Sequence, residues 1–387
     1  MGTAARAFHP LRTDDDFRVE PDPGLKRRYR GCLLGGAVGD ALGAPVEFMS
    51  LAEIRRTFGA EGITEFTTAF GRKGAITDDT QMSLFTAEGL LRGWVRATSR
   101  GELRTSDTLA QAYLRWLATQ GEAAAMEVAR DGWLIEQPEI NQRRVPGATC
   151  LAELARMTSP GVRARNDSKG CGGVMRVAPV GLWCANAETG VSRERLARRA
   201  FELGSEAAGL THGHPTGRLV AAALASIIAL LTVGEPLREA IDRVRALLPR
   251  YPGHDETLRA IERAHAFADI RPVSADRIVD LGEGWVADEA LAIALACALV
   301  ASDFESGVRL AVNHDGDSDS TAAMTGHLLG TLLGVEAIPQ RWLAALEARR
   351  IVVDVADDLA TFPHWPLGEF VETTAAGEYW LQRYPPS

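Results

Sequence analysis

The sequence predicts an all-α fold, a compact and irregular multi-helix bundle. Ala/Leu-rich segments of helical length recur with apolar residues three and four apart, convincing alternating strands are scarce, and no long repeat suggests a solenoid. With 46% hydrophobic but only 6% aromatic residues, the core must be filled mainly by Ala, Leu and Val. The 387 residues allow one large domain or two. The reading is a flexible, polar, Pro-containing tail over 1–24 and a single helical domain over 25–387.

The first helix, roughly 26–44, carries Gly31, Gly35, Gly39 and Gly43 on one face. Each costs about 1 kcal/mol against Ala in a helix interior, so something must approach closely there. Helix-on-helix contact and a ligand or metal both meet that requirement. Helices over 80–94, 105–120 and 147–157 come next, each set off by loops marked by Gly, Pro, Asn and Asp. The spacing then predicts 192–209, 216–232, 235–248, 254–268, 286–301 and 320–333. The apolar run 219–233 stops short of the ~18 residues a membrane span needs and follows Arg218 directly, so it reads as a buried helix.

A formal net charge of -9, from 51 acidic against 42 basic residues, leaves no basic surplus for phosphate backbones. General nucleic-acid binding and a membrane partner are both excluded on this reading. The five cysteines (Cys32, Cys150, Cys171, Cys184 and Cys297) are odd in number and lack CxxC spacing, and no continuous apolar stretch near the N-terminus suggests a secretory signal. Reduced thiols in a cytoplasm follow.

Two acidic segments carry the chemistry. Thr77-Asp78-Asp79-Thr80 precedes the second helix, where Asp and Thr can accept hydrogen bonds from free amides and complement the helix dipole. Asp315-Gly316-Asp317-Ser318-Asp319-Ser320 leads into the last one, and its alternating aspartates exceed what one cap requires. Carboxylate and hydroxyl oxygens without a nearby thiolate suit hard cations, so Mg, Mn or Ca is favoured over Zn. An EF-hand fails because glycine follows the first aspartate and Gly326 stands where the bidentate Glu belongs. If Thr77, Asp78 and Asp79 meet Asp317, Asp319 and Ser320 in space, the carboxylates repel strongly unless one or two divalent ions compensate them.

A third segment, Gly170-Cys171-Gly172-Gly173, exposes backbone amides that can cradle phosphate oxygens or simply make a tight turn. No Walker A sequence accompanies it. His212 and His214 are the only close histidine pair, and their spacing does not put both on one helix face, leaving metal and structural roles open. Cys171 with His212 as a thiol hydrolase needs a lowered thiol pKa, for which Lys169 is the one cation visible nearby in sequence.

In their order over about residues 28–334, Gly39-Asp40-Ala41-Leu42-Gly43-Ala44-Pro45-Val46-Glu47, Thr77-Asp78-Asp79-Thr80 and Gly316-Asp317-Ser318-Asp319-Ser320 resemble the ADP-ribosylglycohydrolase family. The resemblance implies that family's helical bundle, with two divalent cations, Mg or Mn, at the bottom of an ADP-ribose cleft. It implies Thr77, Asp78, Asp79, Asp317, Asp319 and Ser320 as metal ligands, with Ser320 where a Thr is often found. It implies that Glu47 binds the terminal ribose or transfers a proton, with Asp78 and Asp317 as its catalytic companions and Asp40 supporting the loop from within. Gly170, Cys171, Gly172 and Gly173 would form the pyrophosphate-binding turn, and His212 would line the ribose and phosphate path. Asp315 replaces a glycine common in relatives.

The implied activity is metal-dependent hydrolysis of the C1″ linkage in ADP-ribose conjugates of protein, nucleic acid or a small molecule, by a monomer. Divalent ions suit oxocarbenium chemistry because they fix sugar hydroxyls and activate water. A non-catalytic ADP-ribose-binding module and a metal phosphohydrolase acting on ADP-ribose 1″-phosphate are the alternatives.

Overall fold

Asp22 accepts hydrogen bonds from the N–H groups of Gly24 (2.8 Å) and Leu25 (3.3 Å), and Pro23 takes the first helical position, where its missing N–H is harmless. The first helix therefore starts at Pro23, ahead of the position expected from periodicity. The computed structural model describes residues 17–102, 104–270, 272–368 and 374–386. Most of the expected tail lies outside them; within them, Arg18 pairs with Asp354 at 2.7 Å.

The helices among the described residues are α1 (Pro23–Gly43), α2 (Leu51–Phe58), α3 (Asp78–Arg100), α4 (Thr105–Thr119), α5 (Ala148–Ala155), α6 (Ala178–Ala187), α7 (Arg193–Gly209) and α8 (Pro215–Thr232). They continue with α9 (Leu237–Leu247), α10 (Asp255–Asp269), α11 (Ala287–Val300), α12 (Phe304–Val312), α13 (Ser318–Leu333), α14 (Gln340–Ala345), α15 (Arg349–Thr361) and α16 (Ala375–Arg383). One antiparallel ribbon, β1 (Thr68–Ala69) with β2 (Arg72–Lys73), turns at Phe70 and Gly71, whose φ values of 49° and 81° suit a type I′ hairpin. The fold is all-α, as the sequence predicts.

The ten helices read from periodicity are all present. α3 runs past the expected 94 to Arg100, where Gly101 in the left-handed region caps it. Six helices were not expected: α2, α6, α12, α14, α15 and α16. α2 is a single short amphipathic stretch started by a Ser50–Glu53 capping box. α6 buries nearly its whole length and is apolar on all sides, so it shows no periodicity.

α8 is long and apolar enough to cross a membrane by length and composition, although the apolar run in the sequence looked too short. It packs against α6 and α7, and its residues from Leu219 to its end are buried, so it is a core helix.

α1 and α13 form the antiparallel centre of the molecule. A Cβ built on Gly31 would collide with Gly330 O, one on Gly35 with Gly326 O, one on Gly39 with Ala322 O, and one on Gly43 with the Asp319 backbone. The glycine face of α1 is thus a helix-contact surface, which decides between the two explanations open from sequence. The contact also carries a functional consequence: the C-terminal end of α1 lies directly on the acidic start of α13.

Candidate active site

Asp40, buried near that end of α1, reaches across to the start of α3. Its carboxylate accepts the N–H groups of Thr77 (3.0 Å) and Thr80 (3.1 Å) and the Thr80 hydroxyl. The two acids that open α3 are held just beyond this cap. Asp78 donates its N–H to Arg144 O (3.1 Å) and accepts the Gly147 N–H at Oδ2 (3.1 Å), while Asp79 donates its N–H to Thr77 Oγ1 (3.3 Å). Thr77, Asp78 and Asp79 are all buried.

The second acidic segment arrives from the other side. Gly316 takes a φ of 106°, and Asp317 donates its N–H to Glu283 O (2.8 Å), which turns the chain into α13. Asp319 accepts the Ser320 N–H at 2.9 Å. Carboxylate oxygens of Glu47, Asp317 and Asp319 lie within 4.8 Å of one another. Asp315 accepts the Leu51 N–H at the start of α2, tying the loop after Glu47 to the loop before α13.

The electrostatics of this cluster are those of a cation site. Among the described residues, Glu47, Asp78, Asp79, Asp317 and Asp319 form no ion pair with Lys, Arg or His. Asp79 Oδ1 and Asp317 Oδ2 are buried without a hydrogen-bond partner, a costly state that a hard cation would relieve. Burial pushes Asp78, Asp79 and Asp317 well above the usual carboxylate range, and the Asp319 charge adds to each. Burial raises Asp319 as well. Glu47 is pushed up to about 10 by burial and then by Asp319, Asp317 and Asp78, and Asp40 to about 7 by burial and Asp319.

The six residues expected to hold metal thus converge on one place. The tightest group, however, contains Glu47 with Asp317 and Asp319, whereas Asp78 and Asp79 stand outside it and feel it through their shifted protonation. The Ser320 hydroxyl lies 3.8 Å from Cys171 Sγ and from Met175 Sδ and also stabilises the Asp317 carboxylate, which places it within the acidic group. The donor set of carboxylate and hydroxyl oxygens fits a hard divalent cation.

The 170–173 turn sits beside this cluster. Gly170 bridges to Val286, Cys171 donates its N–H to Trp285 O (3.1 Å), and Cys171–Gly173 makes one 3-10 turn. The N–H of Gly172, at the middle of this turn, has no hydrogen-bond partner among the described residues, whereas that of Gly173 closes the 3-10 turn on Gly170. His212 packs under the turn: a Cβ on Gly173 would lie 3.2 Å from its Nδ1, and one on Gly172 3.4 Å from its Cε1. Burial and then the charge of Arg176 lower the His212 pKa to about 3, so the ring is neutral. His214 has the structural role, accepting the Thr216 N–H (3.1 Å) to cap α8. The thiol-hydrolase reading fails here, because burial and Asp317 raise the Cys171 thiol while Lys169 is engaged by Glu256 (3.1 Å) and Asp288 (3.4 Å).

A sequence model of the family described as ADP-ribosylglycohydrolase matches residues 21–366. The chain belongs to the ADP-ribosylglycohydrolase family. It is 30% identical to an uncharacterized protein of Archaeoglobus fulgidus, over 87% of this chain and 96% of that one. It is 27% identical to the ADP-ribosyl-[dinitrogen reductase] glycohydrolase of Rhodospirillum rubrum, over 84% and 92%, and 24% identical to ADP-ribosylhydrolase ARH3 of Bos taurus, over 83% and 88%. A solved structure described as an ADP-ribosylglycohydrolase-related protein complex superposes with a TM-score of 0.64 at 29% identity, covering 88% of this chain and 99% of that one. Membership makes the chain a glycohydrolase.

In this ADP-ribosylglycohydrolase, Phe48 and Trp285 went unnoticed in the sequence. They stack with ring centroids 5.6 Å apart, although Phe48 is 71% exposed and Trp285 37%. They rim a cavity of about 280 Å³ that opens onto Glu47. A larger depression of about 390 Å³ beside Arg163 has no comparable acid cluster. An exposed aromatic next to Glu47 was the available signal for the pair, but its partner lies 237 positions away, as 285 − 48 gives.

Proposed function

We propose that this glycohydrolase cleaves the C1″ linkage of ADP-ribose conjugates in a metal-dependent reaction and releases ADP-ribose. The observation that carries the reading is the group of buried carboxylates without a counter-cation beside a glycine-rich turn whose Gly172 amide is free. The activities for which the Rhodospirillum and Bos relatives are named support the substrate class.

Two divalent cations, Mg or Mn, are assigned to Thr77, Asp78, Asp79, Asp317, Asp319 and Ser320. Bound there, they would supply electrostatic stabilisation of the reacting sugar and activation of water. The chain's own residues do the rest. Glu47 holds and moves a proton at its carboxyl, a role its place beside Asp317 and Asp319 suits, with Asp78 and Asp317 orienting the reacting groups. The 170–173 turn binds the pyrophosphate through the Gly172 amide, and His212 lines its path. The absence of disulfides among the five cysteines, four of them buried, supports a reducing cytoplasm as the location. The enzyme acts as a monomer in this reading.

A panel of conjugates bearing ADP-ribose on arginine, serine, a nucleic-acid end, acetate or phosphate tests the proposal. At least one conjugate should release ADP-ribose, and EDTA should slow that release by roughly a hundredfold or more. Turnover that is indifferent to EDTA would defeat the metal assignment. Release of phosphate from the 1″-phosphate alone would indicate a phosphohydrolase, and binding without release would indicate a reader.

A further inference from the structure

Arg176 is fully buried and meets no carboxylate among the described residues. Its Nη1 faces Cys150 Sγ (3.4 Å) and Met82 Sδ (3.6 Å), its Nη2 donates to Ala207 O (3.2 Å) and Thr211 Oγ1 (2.7 Å), and the guanidinium lies 4.1 Å over the Tyr113 ring. A buried cation without a counter-ion is costly, so the position calls for a reason beyond packing.

Hydrogen-bond accounting supplies one. Thr211 Oγ1 accepts from Arg176 and has a single proton of its own to place. Ala208 O is 3.5 Å away and already accepts the N–H groups of Thr211 (3.1 Å) and His212 (2.9 Å), so its two lone pairs are taken. Cys150 Sγ, also beside the Thr211 hydroxyl, is a weak acceptor, so His212 Nδ1, at 2.9 Å, is the strong acceptor that remains. A neutral imidazole that accepts at Nδ1 carries its proton on Nε2. That atom has no hydrogen-bond partner among the described residues and faces the turn, 3.5 Å from a Cβ built on Gly170 and 3.7 Å from one on Gly172.

We propose that Arg176 is a positioning residue which, through the Thr211 hydroxyl, fixes His212 as the neutral Nε2–H tautomer, making the ring a hydrogen-bond donor to a phosphate oxygen held at the 170–173 turn. The proposal rests on the reading of that turn as the pyrophosphate site. It assigns His212 to binding and removes it from the acid–base chemistry. Arg176 polarises the Thr211 hydroxyl and so strengthens its donation to the ring.

Nitrogen-15 NMR of the histidine rings in the full chain, with titration by ADP-ribose, tests the relay. At pH 7 the His212 signals should show a protonated Nε2 and a bare Nδ1. Thr211→Val, close in shape but without the hydroxyl, should lose that single tautomer and bind ADP-ribose roughly tenfold more weakly. Thr211→Ser should restore both, which a purely structural role would not predict. Arg176→Met should resemble Thr211→Val, and the latter decides the matter if the former does not fold. A wild-type ring protonated at Nδ1, or a Thr211→Val variant with an unchanged tautomer, would overturn the relay. Wild-type protein with the expected tautomer but no affinity for ADP-ribose would instead defeat the proposed function and leave the relay standing.

Discussion

Asp317→Asn is expected to lower turnover by about a thousandfold or more while making the metal-free protein more stable. The substitution keeps the side-chain shape and leaves the backbone N–H bond to Glu283 O in place. It removes one charge from a buried group in which Glu47, Asp317 and Asp319 crowd within 4.8 Å. The pH dependence carries the same sign. These carboxyls have folded pKa values raised above their unfolded values of about 3.9 for Asp and 4.3 for Glu, so the folded state binds more protons between the two. Their contribution to stability is therefore most favourable at low pH. It worsens as pH rises through the unfolded values, and continues to worsen through about 7 for Asp40 and about 10 for Glu47. In EDTA, thermal unfolding at pH 5, 7 and 9 should show this contribution falling in the wild type and flattened in Asp317→Asn, with the variant a few degrees higher at pH 9. Adding Mg or Mn should reverse the order by stabilising the wild type more. An Asn variant that is less stable than wild type in EDTA, or that keeps full turnover, would refute the shared-cation account.

Helices with one apolar stripe were legible because their periodicity is a local property, as in α7 and α10. α6 was not, since a helix apolar on all sides has no stripe to detect, and α2 was not, since eight residues give too few repeats. The acidic residues were legible as candidates because adjacent like charges demand a compensating cause. Their meeting was a different matter. Nothing in the spacing of 77–79 and 317–320 states that they share a site; only the family resemblance implied it, and the packing of α1 on α13 supplies the physical reason. Asp315 illustrates the limit from the other direction. It looked like one more acid of the cluster, yet its bond to Leu51 makes it an anchor for a loop 264 residues distant in sequence.

Gly39→Ala is expected to destabilise the protein, against the ordinary sign for a helix. In a helix with free space the change gains about 1 kcal/mol from backbone entropy. Here the new Cβ would run into the carbonyl group of Ala322, and a backbone carbonyl inside a packed helix cannot swing aside as a side chain can. Overpacking of this kind costs about 1–3 kcal/mol and more when backbone must move, which outweighs the entropic gain. The displaced partner is α13, whose first turn carries Asp319, while Asp40 follows Gly39 directly and holds the start of α3. Separating the two helices therefore separates the two acidic segments, so metal affinity should fall by roughly tenfold along with a melting temperature several degrees lower. Gly209→Ala is the matched control. It lies at the end of α7, where the nearest atom to the new Cβ is Cδ of the flexible Arg218 side chain at 3.3 Å, and its melting temperature should hold or rise. If Gly39→Ala melts with or above the wild type, α1 is not the splint that brings the carboxylates together.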